Sequence, residues 1–226
     1  MAKGKGRGSI SKSDILDAAF ALFEAEGHEN FSVRKVAAGV NVDPMTVLHH
    51  FGSKRELLRA IADRAVSTIV IAPATDDWRK DLKSVGDAYR ELAMRYPRVF
   101  RLHFEYHGTG PADHKSAEIV YRAILRCGRT EQDAAGLGLA FYAMVLGIAQ
   151  AETEGLLMPI TDVDEKELMA LCPDEYRATR SLVPSFKRLN PTDAFDAAIE
   201  LWLDGLAAGR PHDPSSGARR SRVKAE

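Results

Sequence analysis

Residues Ser32 to Glu56 read SVRKVAAGVNVDPMTVLHHFGSKRE, and this stretch decides the fold. Ser32 is a good N-cap, and Val33, Val36, Ala37 and Val40 follow it at helical spacing. The helix has to stop at Asn41, where the chain needs a residue that accepts positive φ; Asn is the best choice after Gly. Asp43 caps a second helix, and Pro44 takes its first position, where a missing N–H costs nothing. Val47, Leu48 and Phe51 are its inward residues, and Gly52 ends it. Ser53-Lys54-Arg55-Glu56 has the form of a capping box opening the next helix. Two helices of about seven residues cannot bury a core alone, so they must pack on their neighbours. Asp43, Met45, Thr46, His49 and His50 then fall mostly on one outward surface, near Arg34, Lys35, Lys54 and Arg55. A short exposed helix in that setting has the shape that enters a DNA major groove.

The flanking sequence is read from this pair outward. Residues 1–12 are Gly-rich and basic, and are expected to be a disordered arm; Lys3, Lys5, Arg7 and Lys12 either reach phosphates or an adjacent minor groove, or simply solubilise the chain. A first helix is predicted from Ser13 to Glu26, with Ile15, Ala19, Leu22 and Phe23 on one face and Gly27 as its stop. Phe31 plugs the junction behind it. A fourth helix is predicted from Lys54 to about Ile71, with Leu57, Leu58, Ile61, Ala65 and Ile69 as its apolar side. At that length it spans about 27 Å and ties the helical pair rigidly to the rest of the chain.

After the linker Ala74-Thr75-Asp76-Asp77 the composition changes. Helices are predicted from Trp78 to Arg95, from Pro97 through Phe104, from Asp113 to Cys127, and from Glu131 to Glu154, with Gly108-Thr109-Gly110-Pro111 as a break. No strand alternation and no Asn-Gly hairpin signal occurs, so the fold class is all-α. The helix from Glu131 is apolar nearly all round, so it is buried on more than one side. Its small residues Gly136, Ala140, Ala143, Gly147 and Ala151 allow a second helix to approach closely. The last helix, opened by Asn190 and Pro191, carries Phe195, Ile199, Trp202 and Leu206 in one stripe. Either these two helices pair with a partner subunit or both lie in the core of a monomer. The stretch from Leu156 to Leu189 is too long for an ordinary connection, and is either a flap over a pocket or an excursion with a short helix near Glu165 to Leu171. The tail from Pro211 onward is expected to be disordered.

The residues from Val36 to Leu58 resemble the tetracycline-repressor-like (TetR) family of transcriptional regulators. The resemblance rests on Val36-Ala37, Asn41-Val42-Asp43, Thr46-Val47-Leu48, His50-Phe51 and Ser53-Lys54-Arg55-Glu56-Leu57-Leu58, and covers about the first quarter of the chain in detail. Asn41 stands where Gly is usual, and Leu48 where Tyr is usual. The resemblance implies a helix-turn-helix DNA-binding domain at 13–55 and a helical effector-binding and dimerisation bundle at 56–210, joined by a long helix, between a basic arm at 1–12 and a tail at 211–226. It implies a homodimer reading a palindromic double-stranded operator, a small-molecule effector, and a cytoplasmic, nucleoid-associated protein. That it is a repressor follows from family habit rather than from any residue. The DNA-contacting set is then Ser32, Arg34, Asp43, Pro44, Met45, Thr46, His49, His50 and Lys54: Met45, Thr46 and His49 for base edges, and Ser32, Arg34, His50 and Lys54 for phosphates. The four-helix interface of the family places Leu139, Ala143, Leu146, Gly147, Phe195, Ile199, Trp202 and Leu206 at the seam.

Other chemistry is poorly supported by the sequence. The chain has 226 residues, 45% hydrophobic and 28% charged, with a net charge of -1, so only local clustering can draw it to nucleic acid. Cys127 and Cys172 lie far apart with no metal-type spacing. No run of about 18 apolar residues occurs, so no membrane span is expected. There is no phosphate loop, no GxSxG elbow and no HExxH, so no catalytic residue is assigned and no enzyme is expected. His103 and His107 are four apart, which can hold a metal, but a third ligand is lacking, so no metal or cofactor is assigned. Phe100, His103, Phe104, His107, Tyr121, Phe141, Tyr142 and Met144 are each core or pocket residues; together they point to a cavity between bundle helices, where the family binds its effectors. Two rival readings remain: a helical small-molecule binder with weak or no DNA affinity, for which Leu48 and the near-neutral charge speak, and a metallohydrolase built on the two histidines.

Overall fold

The computed structural model describes residues 10–106 and 108–209. Every regular element among them is helical. The chain divides into two compact units, one formed by residues up to 71 with 87–118, the other by 72–86 and the residues from 119 onward.

The first unit begins with α1 (Lys12–Asn30), followed by α2 (Val33–Gly39), α3 (Pro44–Phe51) and α4 (Lys54–Val66). Ser11 opens α1 with a reciprocal cap: its hydroxyl accepts the Asp14 N–H at 3.1 Å, and Asp14 accepts the Ser11 N–H at 3.0 Å. Gly27 breaks α1 as its sequence foretold, at φ 74 and ψ 179, but the helix resumes and runs on to Asn30. Phe23 and Phe31 meet edge to face at 5.3 Å. They are buried with Ile15 and Ala19 against Val36, Ala37, Val47, Leu57, Leu58 and Ile61.

The fourth helix is shorter than its sequence indicated. It ends at Val66, about 20 Å from its start. The hydroxyls of Ser67 and Thr68 donate to the carbonyls of Arg64 and Ala65, both at 2.7 Å. They satisfy the last-turn acceptors locally, and the β-branched Thr68, Ile69 and Val70 then leave the helix.

The same unit holds the end of α5 (Trp78–Arg95), two single turns α6 (Pro97–Phe100) and α7 (Leu102–Glu105), and the start of α8 (Pro111–Arg126). Pro97 through Phe104 is therefore not one helix. Two polar fastenings hold these pieces to the helix-turn-helix. At the first, Arg98 donates to the carbonyls of Glu24 (3.2 Å) and Ala25, which the break at Gly27 leaves without helical partners. In return Glu24 accepts the Val99 N–H at 2.9 Å at the start of α6. At the second, Asp63 of α4 accepts the N–H groups of Ala112 and Asp113 at 3.0 and 3.1 Å, capping α8. Arg59, one turn earlier, donates to the Gly108 carbonyl at 2.9 Å. Gly110 is required here, because a Cβ would lie 2.5 Å from the Asp63 carboxylate carbon.

The second unit contains the start of α5, the end of α8, α9 (Glu131–Thr153), the short helices α10 (Asp162–Ala170), α11 (Arg177–Ser181) and α12 (Val183–Phe186), and α13 (Pro191–Ala208). Its core joins Leu82, Val85, Val120, Ile124, Phe141, Val145, Phe195, Ile199 and Leu203, all essentially buried. Asp81 is buried in it as well. Burial alone would raise its carboxyl, but the Thr75 N–H and hydroxyl, each at 2.8 Å, and the Arg126 guanidinium outweigh that and hold it below the usual range. Residues 156–189 form an excursion that buries only Val183 and closes on itself, with Lys187 bridging Asp162 and Glu165 at 2.9 and 2.5 Å.

Helix α9 is the one helix among the described residues that is long and apolar enough to cross a membrane, with a mean hydropathy of 1.6 over its best window, although no unbroken apolar run reaches that length. It packs along α13 through Phe141 and Trp202, whose rings are 5.1 Å apart. Gly138 lets the Tyr121 ring lie directly against the α9 backbone, with no room for a Cβ. Gly138→Ala should therefore cost about 1–3 kcal/mol of stability in urea unfolding, whereas Gly136→Ala, at an open position, should not destabilise the protein.

Candidate DNA-binding surface

The surface on α2 and α3 is built by local capping. Ser32 accepts the Lys35 N–H at 3.2 Å and starts α2. Asn41 takes φ 55, the left-handed conformation its position demands. This reversal lets the Val42 N–H return to the Ala37 carbonyl at 3.0 Å and turns the chain into α3. Asp43 accepts the Met45 N–H at 2.7 Å, with Pro44 in the first helical position. Gly52 closes α3 at φ 79. The following capping box is half formed: Ser53 accepts the Glu56 N–H at 3.1 Å, but the Glu56 carboxylate turns to Arg59 at 3.4 Å.

Val47 and Phe51 are the buried anchors of α3, while Leu48 is only half-buried. Met45, at 67% exposure, and His49 stand outward one turn apart, with Thr46 and His50 half-buried beside them. Asp43 and Arg34 are exposed, Ser32 and Pro44 half-buried. Two cations of the surrounding cluster have partners within the unit. Lys35 pairs with Glu26 at 2.6 Å, and Lys54 donates to the Phe31 carbonyl at 3.2 Å. Lys54 therefore helps seat α4 behind α1. The arm residues Lys3, Lys5 and Arg7 and the tail from Pro211 lie outside the described residues; Lys12 sits over the Phe51 ring, 5.1 Å from its centre.

The residues proposed for an effector divide between the units. Phe100, His103 and Phe104 belong to the first, and Tyr121, Phe141, Tyr142 and Met144 to the second; His107 lies outside the described residues. Phe100 and His103 are buried, Phe104 is exposed. The His103 ring lies 6.0 Å from Tyr89 and 5.8 Å from Phe100, and its Nε2 has no hydrogen-bond partner among the described residues. The buried Thr109 hydroxyl also lacks one. Asp113 joins two of their neighbours: its carboxylate accepts the Tyr89 hydroxyl and the Thr109 N–H, each at 3.0 Å. Burial pulls the His103 imidazole down to about 4, against the opposing charge of Asp113. Nothing in the sequence flagged Thr109 or Asp113 as site residues, because the burial of Thr109 and the Tyr89 bond to Asp113 are set by tertiary packing. Among the described residues no three His, Cys, Asp or Glu side chains gather to hold a metal.

On the α9 and α13 surfaces, Leu139, Ala143 and Gly147 are exposed, and Leu146 and Trp202 are half-buried. Phe195, Ile199 and Leu206 are buried within the subunit, so the stripe they form is the inward face of α13. Its large exposed apolar residue is Leu201, at 74%.

A capped pair of short helices, the second presenting an outward polar and apolar face, defines a helix-turn-helix regulator that binds DNA. The sequence pattern of "Bacterial regulatory proteins, tetR family" matches residues 15–61, and that of "Tetracyclin repressor-like, C-terminal domain" matches 72–210. The chain belongs to the TetR family, whose members are regulators rather than enzymes. It is 25% identical over 210 residues to the tetracycline repressor protein class A from transposon 1721 of Escherichia coli, covering 89% of this chain and 92% of that one. Its fold matches that of the TetR family protein ActR of Streptomyces coelicolor, solved with (S)-DNPA, at a TM-score of 0.77 and 18% identity, over 89% of this chain and 99% of ActR. ActR solved with actinorhodin matches at 0.76 and 18%, over 89% and 100%.

The buried imidazole sets a pH dependence. The unfolded chain protonates His103 near its ordinary 6.5, whereas the folded protein holds it neutral down to about 4. Its contribution to stability is therefore complete above pH 6.5 and is lost as pH falls toward 4. Between pH 7 and pH 5 the wild type should lose about 2 kcal/mol more than His103→Phe in urea unfolding.

Proposed function

We propose that the chain is a homodimeric repressor that reads a palindromic operator through α3 and is released by a small-molecule effector. The observation that carries the reading is the outward face of α3, where Met45 and His49 project while Val47 and Phe51 anchor the helix. Met45, Thr46 and His49 meet base edges. Ser32, Arg34, His50 and Lys54 lie along the phosphates and set register, while Asp43 and Pro44 fix the start of the helix. Lys54 has two further donors beyond the one given to Phe31. Two such heads on a two-fold axis suit half-sites about 34–36 Å apart, or a multiple.

The subunits meet along α9 and α13. Leu139, Ala143, Leu146 and Gly147, with Trp202 at the edge and Leu201 beside it, are the apolar surface that a second copy covers. Small residues at Ala143 and Gly147 allow close helix approach. This covered surface also accounts for the apolar character of α9 in a protein that acts on DNA in the cytoplasm, at the nucleoid.

For the effector, the unpartnered His103 Nε2 and Thr109 hydroxyl are the polar anchors, because buried polar atoms without partners gain most from a ligand that supplies them. Phe100 lies against that imidazole; Phe104 of the same unit, and Tyr121, Phe141, Tyr142 and Met144 of the second unit, are the remaining candidates. The relative ActR, solved with (S)-DNPA and with actinorhodin, supports an organic effector. To move an operator-bound population from 1:99 to 99:1, the effector must prefer the released state by about 5.5 kcal/mol.

Two experiments test this. Thr46→Ala and His49→Ala should each cost about 1–3 kcal/mol on the matched operator and much less on mismatched duplexes; a uniform loss would remove their base-reading role. Leu139→Asp with Leu201→Asp changes only exposed positions, and should give folded monomers in sedimentation where the wild type sediments as a dimer.

A further inference from the structure

The composition of α3 limits which base edges it can read. Pro44 to Phe51 contains no Arg, Lys, Asn or Gln. Those four side chains make the usual bidentate or charged contacts to guanine and adenine in the major groove. Helix α3 offers instead the exposed thioether chain of Met45, half-exposed Leu48 three residues on, the Thr46 methyl and hydroxyl, and the His49 imidazole. Met45 is the second helical residue, at the end of a recognition helix that approaches the base edges. Its cap bond from Asp43 to its N–H fixes the backbone there at 2.7 Å. Met45 is 67% exposed on the outward face of α3, and a thioether there gains from a base edge chiefly where that edge is apolar. In the major groove one group meets that need, the C5-methyl of thymine.

We propose that Met45, seconded by Leu48, determines sequence preference by packing on a thymine methyl, so that each half-site of the operator presents a 5-methylpyrimidine to the start of α3. This rests on α3 being the DNA-reading helix. Specificity then comes largely from an uncharged contact, and the cations around α3 contribute affinity without choosing the base.

The test uses the full chain and the duplex it selects from a random pool. Every thymine of that duplex is replaced by deoxyuridine, first together and then singly. Removing one buried methyl should weaken binding about four-fold at one thymine per half-site, and about fifteen-fold across both half-sites. At that position 5-methylcytosine should bind more tightly than cytosine. Met45→Ala should bind thymine and deoxyuridine duplexes alike, and Met45→Leu should keep the preference. Because Met45 is exposed, its truncation should leave the thermal midpoint unchanged. Equal wild-type affinity for the two duplexes overturns the proposal. So does a preference that survives in Met45→Ala, which would trace it to duplex shape or to another side chain. If no duplex is selected above scrambled DNA, α3 does not read sequence at all, and both readings fall together.

Discussion

An eight-residue helix has too few internal hydrogen bonds to persist in water. Helix α3 exists because Val47 and Phe51 are buried on one side and Asp43, Pro44 and Gly52 define its ends. This constraint orders the whole reading head. The buried side fixes which residues turn outward, and α2 and α4 supply the surface against which α3 is pinned. The outward residues are therefore held on a rigid element, although the helix bearing them has little stability of its own.

The helix-turn-helix was legible because its signals are local. Ser32, Asn41, Asp43, Pro44 and Gly52 act on groups a few residues away, and each does in the structure what its chemistry dictates. The length of α4 was not legible, since hydrophobic spacing continues past Val66 and the end is set by two hydroxyls competing for carbonyls. The capping box at Ser53 closed only by half for a similar reason: Arg59 competes for the Glu56 carboxylate. The long-range fastenings were invisible. Asp63 and Ala112 are 49 residues apart, and Glu24 and Val99 are 75 apart; each joins a side chain to a backbone group, which leaves no pattern in the sequence.

The second half illustrates a different limit. Periodicity identifies an apolar stripe but not what covers it. On α13 the strongest stripe, Phe195, Ile199 and Leu206, turns into the core, and the large apolar residue left exposed is Leu201. On α9 the small residues Ala143 and Gly147 do lie outside, with Leu139. The aromatic residues behaved in the same way: Phe100 is buried while its neighbour Phe104 is exposed, and of two buried polar atoms without partners among the described residues, the one on His103 belongs to a residue the sequence singled out and the one on Thr109 does not.

The exchange between Arg98 and Glu24 has a consequence for protein engineering. Each of the two helices borrows from the other the groups that terminate it, so neither end is complete when the chain is cut between them. A chimera that grafts this reading head onto a relative at the end of α4 would strip α1 of the guanidinium covering its last carbonyls. Carrying residues 97–105 along with the graft keeps that pairing intact, and places the natural seam for recombination beyond the borders that the helix-turn-helix motif marks.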